Sequence, residues 1–473
     1  MRLSIPLLIV GIAASVAAVL IAGTLLINPD RPLLVKAGFN VEAISPNADG
    51  VDDVTIFNYE ISENARVSLT FADDSGQTYV FREDQERAPG RWRVAFSGVV
   101  RGYTLPGETI AGDVERRLMP DGTYTWTFTV EANDSDAVAT ATGTLTLTDG
   151  DTELPDITEF TLSPTRFTPN QDGIDDRVQV NLFLEKAVDD LTVDLEEEDG
   201  SRSFIPPRQG CREDTDDPGR FCFDYDGGVT GGAAPPDDGI YTVIAEAQDA
   251  GGQRVRRTGE LIIDEGGVPF AEIVAPSTGA TVAFVPQSYE DRFYMDVDTE
   301  GDLLAFPDDP AMLNELPVTL QVGDVLVFAL TVTNYGQSPI RTTAGPWPGT
   351  VYQQNQNRGA MGATEQSGAW RVGIQCETSA ESYPYRWSVG SPDDLVQVED
   401  PRNGNTYYYL PPGETATVWG GIRLTDIAET RNPQACWAGL IHEDVAISVR
   451  NTDVGRRQIT LVGLAQSASS ADN

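Results

Sequence analysis

The sequence predicts an all-β protein built on a duplicated domain, and three observations predict it. First, the octet Pro46-Asn47-Ala48-Asp49-Gly50-Val51-Asp52-Asp53 returns 123 positions later as Pro169-Asn170-Gln171-Asp172-Gly173-Ile174-Asp175-Asp176, with six of eight positions identical. Second, each octet is followed by alternating runs. The first copy has Phe57, Tyr59, Ile61 and then Val67, Leu69, Phe71; the second has Val180, Leu182, Leu184 and then Leu191, Val193, Leu195. A period of two sends successive side chains to opposite faces, which marks a half-buried strand. Third, the copies end alike. Pro120-Asp121-Gly122-Thr123-Tyr124 and Asp238-Gly239-Ile240-Tyr241 each lead into a strand, and Thr142-Gly143-Thr144-Leu145 and Thr258-Gly259-Glu260-Leu261 close the copies. A repeat of roughly 115 residues has the size of an autonomous domain, not of a solenoid unit.

The octets admit two readings. As turns, their Asn and Asp side chains bond the local backbone, Gly50 and Gly173 supply positive φ, and proline sets the entry. As calcium sites, Asn47, Asp49, Asp52 and Asp53, and Asn170, Asp172, Asp175 and Asp176, gather hard oxygen ligands on a glycine-containing turn. The spacing is not that of an EF-hand, and no Glu stands at its twelfth position. Calcium is the one candidate ligand; no cofactor is required.

The Ser-Pro-Asn-x-Asp-Gly-x-x-Asp opening, with Asp-Gly-x-Tyr near the end of each copy, resembles the Ig-like domain of the flagellar hook-capping protein. That module recurs in secreted bacterial proteins and proteases. The resemblance covers roughly residues 38–265 and implies tandem Ig-like β-sandwiches, 38–150 and 151–266, in an extracellular setting and without catalysis. The first copy departs from the pattern by an insertion around Val99 to Arg117.

Ahead of the repeats, residues Ile5 to Ile27 carry no charged side chain. As a helix, this run spans about 34 Å, enough for a bilayer core of about 30 Å. A cleaved signal peptide is the competing reading, but its apolar region is about 7–15 residues and ends at a small-residue site. The run here ends on Leu25-Leu26-Ile27, and no cysteine nearby offers a lipid anchor. The expectation is an uncleaved transmembrane helix at 5–27, a cytoplasmic stub at 1–4 bearing Arg2, and a linker at 28–37. Everything beyond would then be extracytoplasmic.

Charge fits that setting. A net charge of −41, with Lys36 and Lys186 the only lysines, repels phosphate backbones and argues against nucleic acid as a partner. The acidity reads as a solvated surface.

Residues 267–466 do not repeat the octet module. Val325 to Val332, Thr415 to Trp419, Val445 to Val449 and Ile459 to Val462 read as strands, and the Pro411-Pro412-Gly413-Glu414 turn and Thr333-Asn334-Tyr335-Gly336 loosely resemble bacterial surface Ig-like modules. This β-rich distal domain is large for one sandwich, so Ala283 to Leu316 is read as an elaborated edge or long loop. Residues 467–473 are read as a disordered tail.

The four cysteines fall in two pairs. Cys211 and Cys222 flank an acidic, turn-forming stretch with no CxxC and no nearby His, which points to a disulfide-closed hairpin. Cys376 and Cys436 are expected to form a second disulfide across the sheets.

Candidate chemistry is sparse. His442 is the only histidine, and it lies six residues from Cys436. In a β region that spacing merely places both on one face. No nucleophile elbow, phosphate loop, dinucleotide or zinc-protease motif is present. Tyr407, Tyr408, Tyr409, Trp347 and Trp370 could line a glycan-binding surface, or serve as core residues. The resulting expectation is a non-enzymatic, membrane-anchored surface protein, in which an Ig-like stalk presents a distal domain to an unknown surface protein or glycan. The alternative is an accessory glycan-binding protein of the cell envelope.

Overall fold

A computed structural model describes residues 31–274, 281–288, 317–361, 366–447 and 449–463. The expected membrane span, the tail and most of 283–316 lie outside the described residues, among which no helix is long and apolar enough to cross a membrane. The chain divides into two compact units. One comprises residues through 161 with 180–223 and 242–259; the other comprises 162–179, 224–241 and 260 onward. All the extended elements are β-strands, joined by turns and short 3₁₀ segments.

In the first unit, the first repeat is a β-sandwich. One sheet orders Leu34–Phe39, Thr55–Ile61 and Gly90–Phe96. The other orders Ala43–Ile44, Val138–Leu147, Gly122–Ala132, Ala65–Ala72 and Thr78–Arg87. Ala43–Ile44 pairs in parallel with Thr146 and Leu147, while the long strands pair antiparallel. Three strands facing a five-stranded sheet is an Ig-like arrangement. The alternation seen in the sequence is the reason it forms. Phe57, Tyr59, Ile61, Val67, Leu69 and Phe71 are all buried in one core with Trp126 and Phe128. Phe57 meets Trp126 edge-on at 5.4 Å and Phe128 at 5.0 Å. Residues 34–37, read from sequence as linker, belong to the first strand, because Leu34, Ala37 and Phe39 pack against this core.

The insertion has a clear place. Val99–Arg101 and Asp113–Leu118 form an antiparallel hairpin. Its second strand pairs with the second repeat, Arg116 opposite Arg254 and Asp113 opposite Arg256. Residues 202–204, 190–196, 242–248, 254–259, 113–118 and 99–101 thus lie side by side in one sheet. The first repeat contributes two strands to the sheet of the next.

In the second unit, Arg166 and Phe167 pair in parallel with Ile262 and Ile263, repeating the parallel contact of the first copy. The distal domain is one sandwich. Its smaller sheet orders Ala271–Val274, Val325–Asn334, Thr415–Arg423 and Val351–Gln353, with Ala283–Gln287 also on Val325–Asn334. The larger orders Val318–Gln321, Val454–Val462, Gln434–His442, Trp370–Cys376, Ile340–Thr342, Thr406–Leu410 and Val396–Glu399. Val318–Gln321 runs parallel to Ile459 through Val462. The same parallel pairing therefore occurs a third time, in a sandwich enlarged by added strands.

The strand Val325–Asn334 opens on an unbroken apolar run, Val325 to Leu330, because both of its faces are covered. Leu326, Phe328, Leu330 and Val332 enter the main core, and Val325 and Val327 pack with Val351 and Trp419. Where Val445 to Val449 was expected as a strand, only Ala446–Ile447 is extended, and a 3₁₀ turn follows at Val449–Asn451.

Candidate functional site

The two octets fold into the same turn. In the first, the Asp53 carboxylate accepts the backbone N–H groups of Asn47 (3.0 Å), Ala48 (2.8 Å) and Gly50 (2.7 Å). Asn47 Oδ1 accepts from Asp49 N–H (3.1 Å), and Asp49 Oδ1 from Val51 N–H (2.8 Å). In the second, Asp176 accepts from Asp172 (3.1 Å) and Gly173 (2.6 Å), Asn170 Oδ1 from Asp172 (3.0 Å), and Asp172 Oδ1 from Ile174 (2.8 Å). Gly50 and Gly173 hold φ of 87° and 84°, and Asp52 and Asp175 hold 56° and 52°.

Side-chain oxygens of Asn47, Asp49 and Asp53, and of Asn170, Asp172 and Asp176, accept backbone N–H groups of their own turn. Among the described residues no cluster of three or more His, Cys, Asp or Glu is placed to hold a metal. Six of the eight candidate ligands close the turns with their side chains.

The Asp-Gly-x-Tyr motif is equally local. Tyr124 Oη donates to Pro120 O (2.5 Å) and Tyr241 Oη to Asp237 O (2.6 Å), a tyrosine corner in each copy. The motif's Asp121 accepts from the N–H groups of Asp149 and Gly150 (2.9 Å each), and Asp238 from Gly266 (3.1 Å). The motif thereby fastens the exit of each module.

The copies differ in what surrounds them. The first octet is largely exposed and borders a cleft of about 390 Å³ lined also by Asp151, Lys186 and Asp249. Lys186 Nζ bridges Asp151 (2.7 Å) and Asp249 (2.8 Å), joining the end of the first repeat to the second. Gln253, fully buried, reinforces that joint: its Oε1 accepts Leu118 N–H (3.1 Å), and its Nε2 donates to Asp151 O (3.0 Å) and Glu153 O (2.7 Å).

The second octet is docked on the distal domain. Buried Asp172 accepts the Tyr409 hydroxyl at 2.9 Å, Asp175 pairs with Arg402 at 2.5 Å, and Gln171 O contacts His442 Nε2 at 2.8 Å. Arg341 donates to Ser367 O beside Gly173. Burial pushes the Asp172 carboxyl up, and burial together with the Asp172 charge pushes Asp176 up to about 6. His442, buried and stacked on Trp370 at 4.3 Å, is pushed down to about 4 by desolvation and stays neutral.

Cys436 and His442 do not pair with each other in this arrangement. Cys436 is bonded to Cys376, and His442 faces the octet backbone. That disulfide joins directly opposed residues of neighbouring strands in one sheet; it does not cross between sheets as expected, because Cys376 and Cys436 share a register position. Cys211 and Cys222 are bonded, with Cα atoms 6.0 Å apart, and close an irregular loop onto the strand Gly219–Tyr225, not a two-stranded hairpin. The buried Arg371 and Arg386 both pair with buried Glu443, Arg386 contacting both of its oxygens at 2.7 Å.

The aromatic residues singled out for glycan are engaged. Trp370 is buried, Trp347 packs edge-on to Tyr408 at 4.9 Å, Arg341 lies over Tyr407, and Tyr409 holds Asp172. Sequence reasoning missed Arg402, Ser367 and Arg341 as partners of the second octet; separations of more than 160 residues leave no local signal.

Together these features define a multidomain all-β protein whose repeated polar turn sits at module junctions. No family model matches the chain, and no curated protein matches it. Among solved structures, the chain is similar to one reported as structural insight into host cell surface retention of a 1.5-MDa bacterial ice-binding adhesin. Identity is 11% over 84% of this chain and 100% of that one, with a TM-score of 0.18, a likeness too low to bear on function.

Proposed function

We propose that the chain is a non-enzymatic, membrane-anchored extracytoplasmic protein in which Ig-like modules present the distal sandwich to a partner at the cell surface. The observation that carries this reading is the build of the junctions. The first repeat lends a hairpin to the sheet of the second, and the second octet is bonded into the distal domain. Such joints suit a protein that positions a domain, and the site residues serve those joints and not a reaction. The uncharged run before the modules supplies the anchor.

The test is fractionation with protease shaving of intact cells. The full-length chain is expected in the membrane fraction, with the residues beyond the apolar run digestible from outside. A soluble product whose N-terminus begins after residue 27 would overturn the anchor.

A further inference from the structure

We propose that the Val396–Glu399 edge of the distal domain is a docking strand for an extended, cationic segment of another protein. The inference deepens the proposed function, resting on it for the setting in which a partner is met, and names the surface and the partner chemistry.

Among the described residues the strand is the last of the larger sheet and pairs on one side only, from Val396 opposite Tyr409 to Glu399 opposite Thr406. All four of its residues are exposed, with Val396 at 50% and Val398 at 46%. Natural edge strands are normally guarded by lysine, proline, a bulge or a covering element. Here the strand reads Val-Gln-Val-Glu, and its register runs unbroken. Val396 and Val398 share a face with their cross-strand partners Tyr409 and Tyr407, while Gln397 and Glu399 take the other. That tyrosine face already receives the second octet, so the two valines continue an existing interface.

Charge selects the occupant. Asp393, Asp394 and Glu399 are exposed along this edge. Arg402, the nearest cation in the sequence, is engaged by Asp400 and Asp175. A second copy would bring the same carboxylates together, and like charges across a strand pair repel. A strand with apolar residues at alternate positions and Lys or Arg between them satisfies both faces. Main-chain hydrogen bonds then supply affinity, while alternate side chains and charge supply specificity.

The test uses the full-length chain in detergent micelles and a capped octapeptide of alternating Lys and Val. A control peptide carries the same side chains with every peptide nitrogen methylated, so it cannot donate to a strand edge. Saturable binding of the first peptide is expected, with slowed amide exchange across 396–399 and little binding of the control. Val396→Lys with Val398→Lys should weaken binding by about tenfold or more, whereas Val138→Lys, at an exposed valine of the first repeat (63%), should leave it unchanged. All these positions are exposed, and matching thermal melts would show that the fold is kept.

Equal binding of the methylated peptide, or no effect of the paired lysines, would reduce the interaction to adhesion on an acidic surface and overturn the proposal. Absence of binding would overturn it too, as would self-association through this edge that the paired lysines abolish. None of these outcomes alters membrane fractionation, so failure here is distinguishable from failure of the anchor.

Discussion

Asp176 and His442 titrate in opposite senses at the second octet. An Asp has an unfolded pKa of about 3.9 and a His of about 6.5. Burial, and then the neighbouring Asp172, raises Asp176 to about 6. Between those values the folded state holds the extra proton, so this stabilisation is full below about pH 4 and is lost as pH rises through 6. Asp172, also raised by burial, acts in the same sense. His442, lowered to about 4 by burial, does the reverse: its stabilisation is full above about pH 6.5 and is lost as pH falls through 4. The two slopes oppose each other across the same window. Chemical denaturation at pH 6.5, 5 and 4 is expected to show His442→Gln gaining stability relative to wild type on acidification, and Asp176→Asn losing it. Slopes identical to wild type in both variants would show that neither group governs the junction.

At the scale of the element, one turn occurs in two environments, and matched substitutions separate them. Gly50 has φ of +87° with open space where a side chain would go, whereas a Cβ on Gly173, at φ +84°, would lie 1.9 Å from Ser367 O. Gly50→Ala is therefore expected to cost only the backbone term, about 1–2 kcal/mol. Gly173→Ala adds steric overlap for a total of about 2–5 kcal/mol, and amide exchange should quicken near Ser367 and Tyr409 only in that variant. Comparable losses in both would mean that the docked contact contributes nothing.

This contrast also marks how far the sequence could be read. The turn was legible in its Asn, Asp and Gly, and the strands in their alternation, because those signals lie within a few residues of each other. Phe57, Tyr59 and Ile61 announced their own burial. What covers the second octet was not legible: Tyr409 stood among residues suited to glycan, and nothing near it refers to Asp172. The carboxylate clustering that suggested calcium is also what closes the turn, because those oxygens accept the backbone amides beside them. Likewise, the insertion after Val99 showed as a break in the repeat, while its pairing with Arg254–Arg256 depends on a register that no local pattern encodes.

Over the whole molecule, 73 acidic against 32 basic residues leave a net charge of −41. Self-repulsion of that kind is screened as the Debye length falls from about 30 Å at 0.01 M salt to about 10 Å at 0.1 M. The melting temperature is therefore expected to rise with sodium chloride. With the octet oxygens engaged by their own backbone, calcium and magnesium at matched ionic strength should give the same rise. A rise specific to calcium and reversed by a chelator would restore the cation reading of the octets.

The hairpin that the first repeat lends to the second also sets an order on biogenesis. Asp113–Leu118 finds its partner only when Arg254–Ile263 has been made, 136 residues behind Leu118 (254 less 118). At synthesis rates of about 5–20 residues per second, the first module waits roughly 7–27 s with an open strand edge. Its own core can close in that interval, but its last sheet contact cannot. The first two modules therefore mature as a pair, and a chain interrupted between them leaves a template for mispairing.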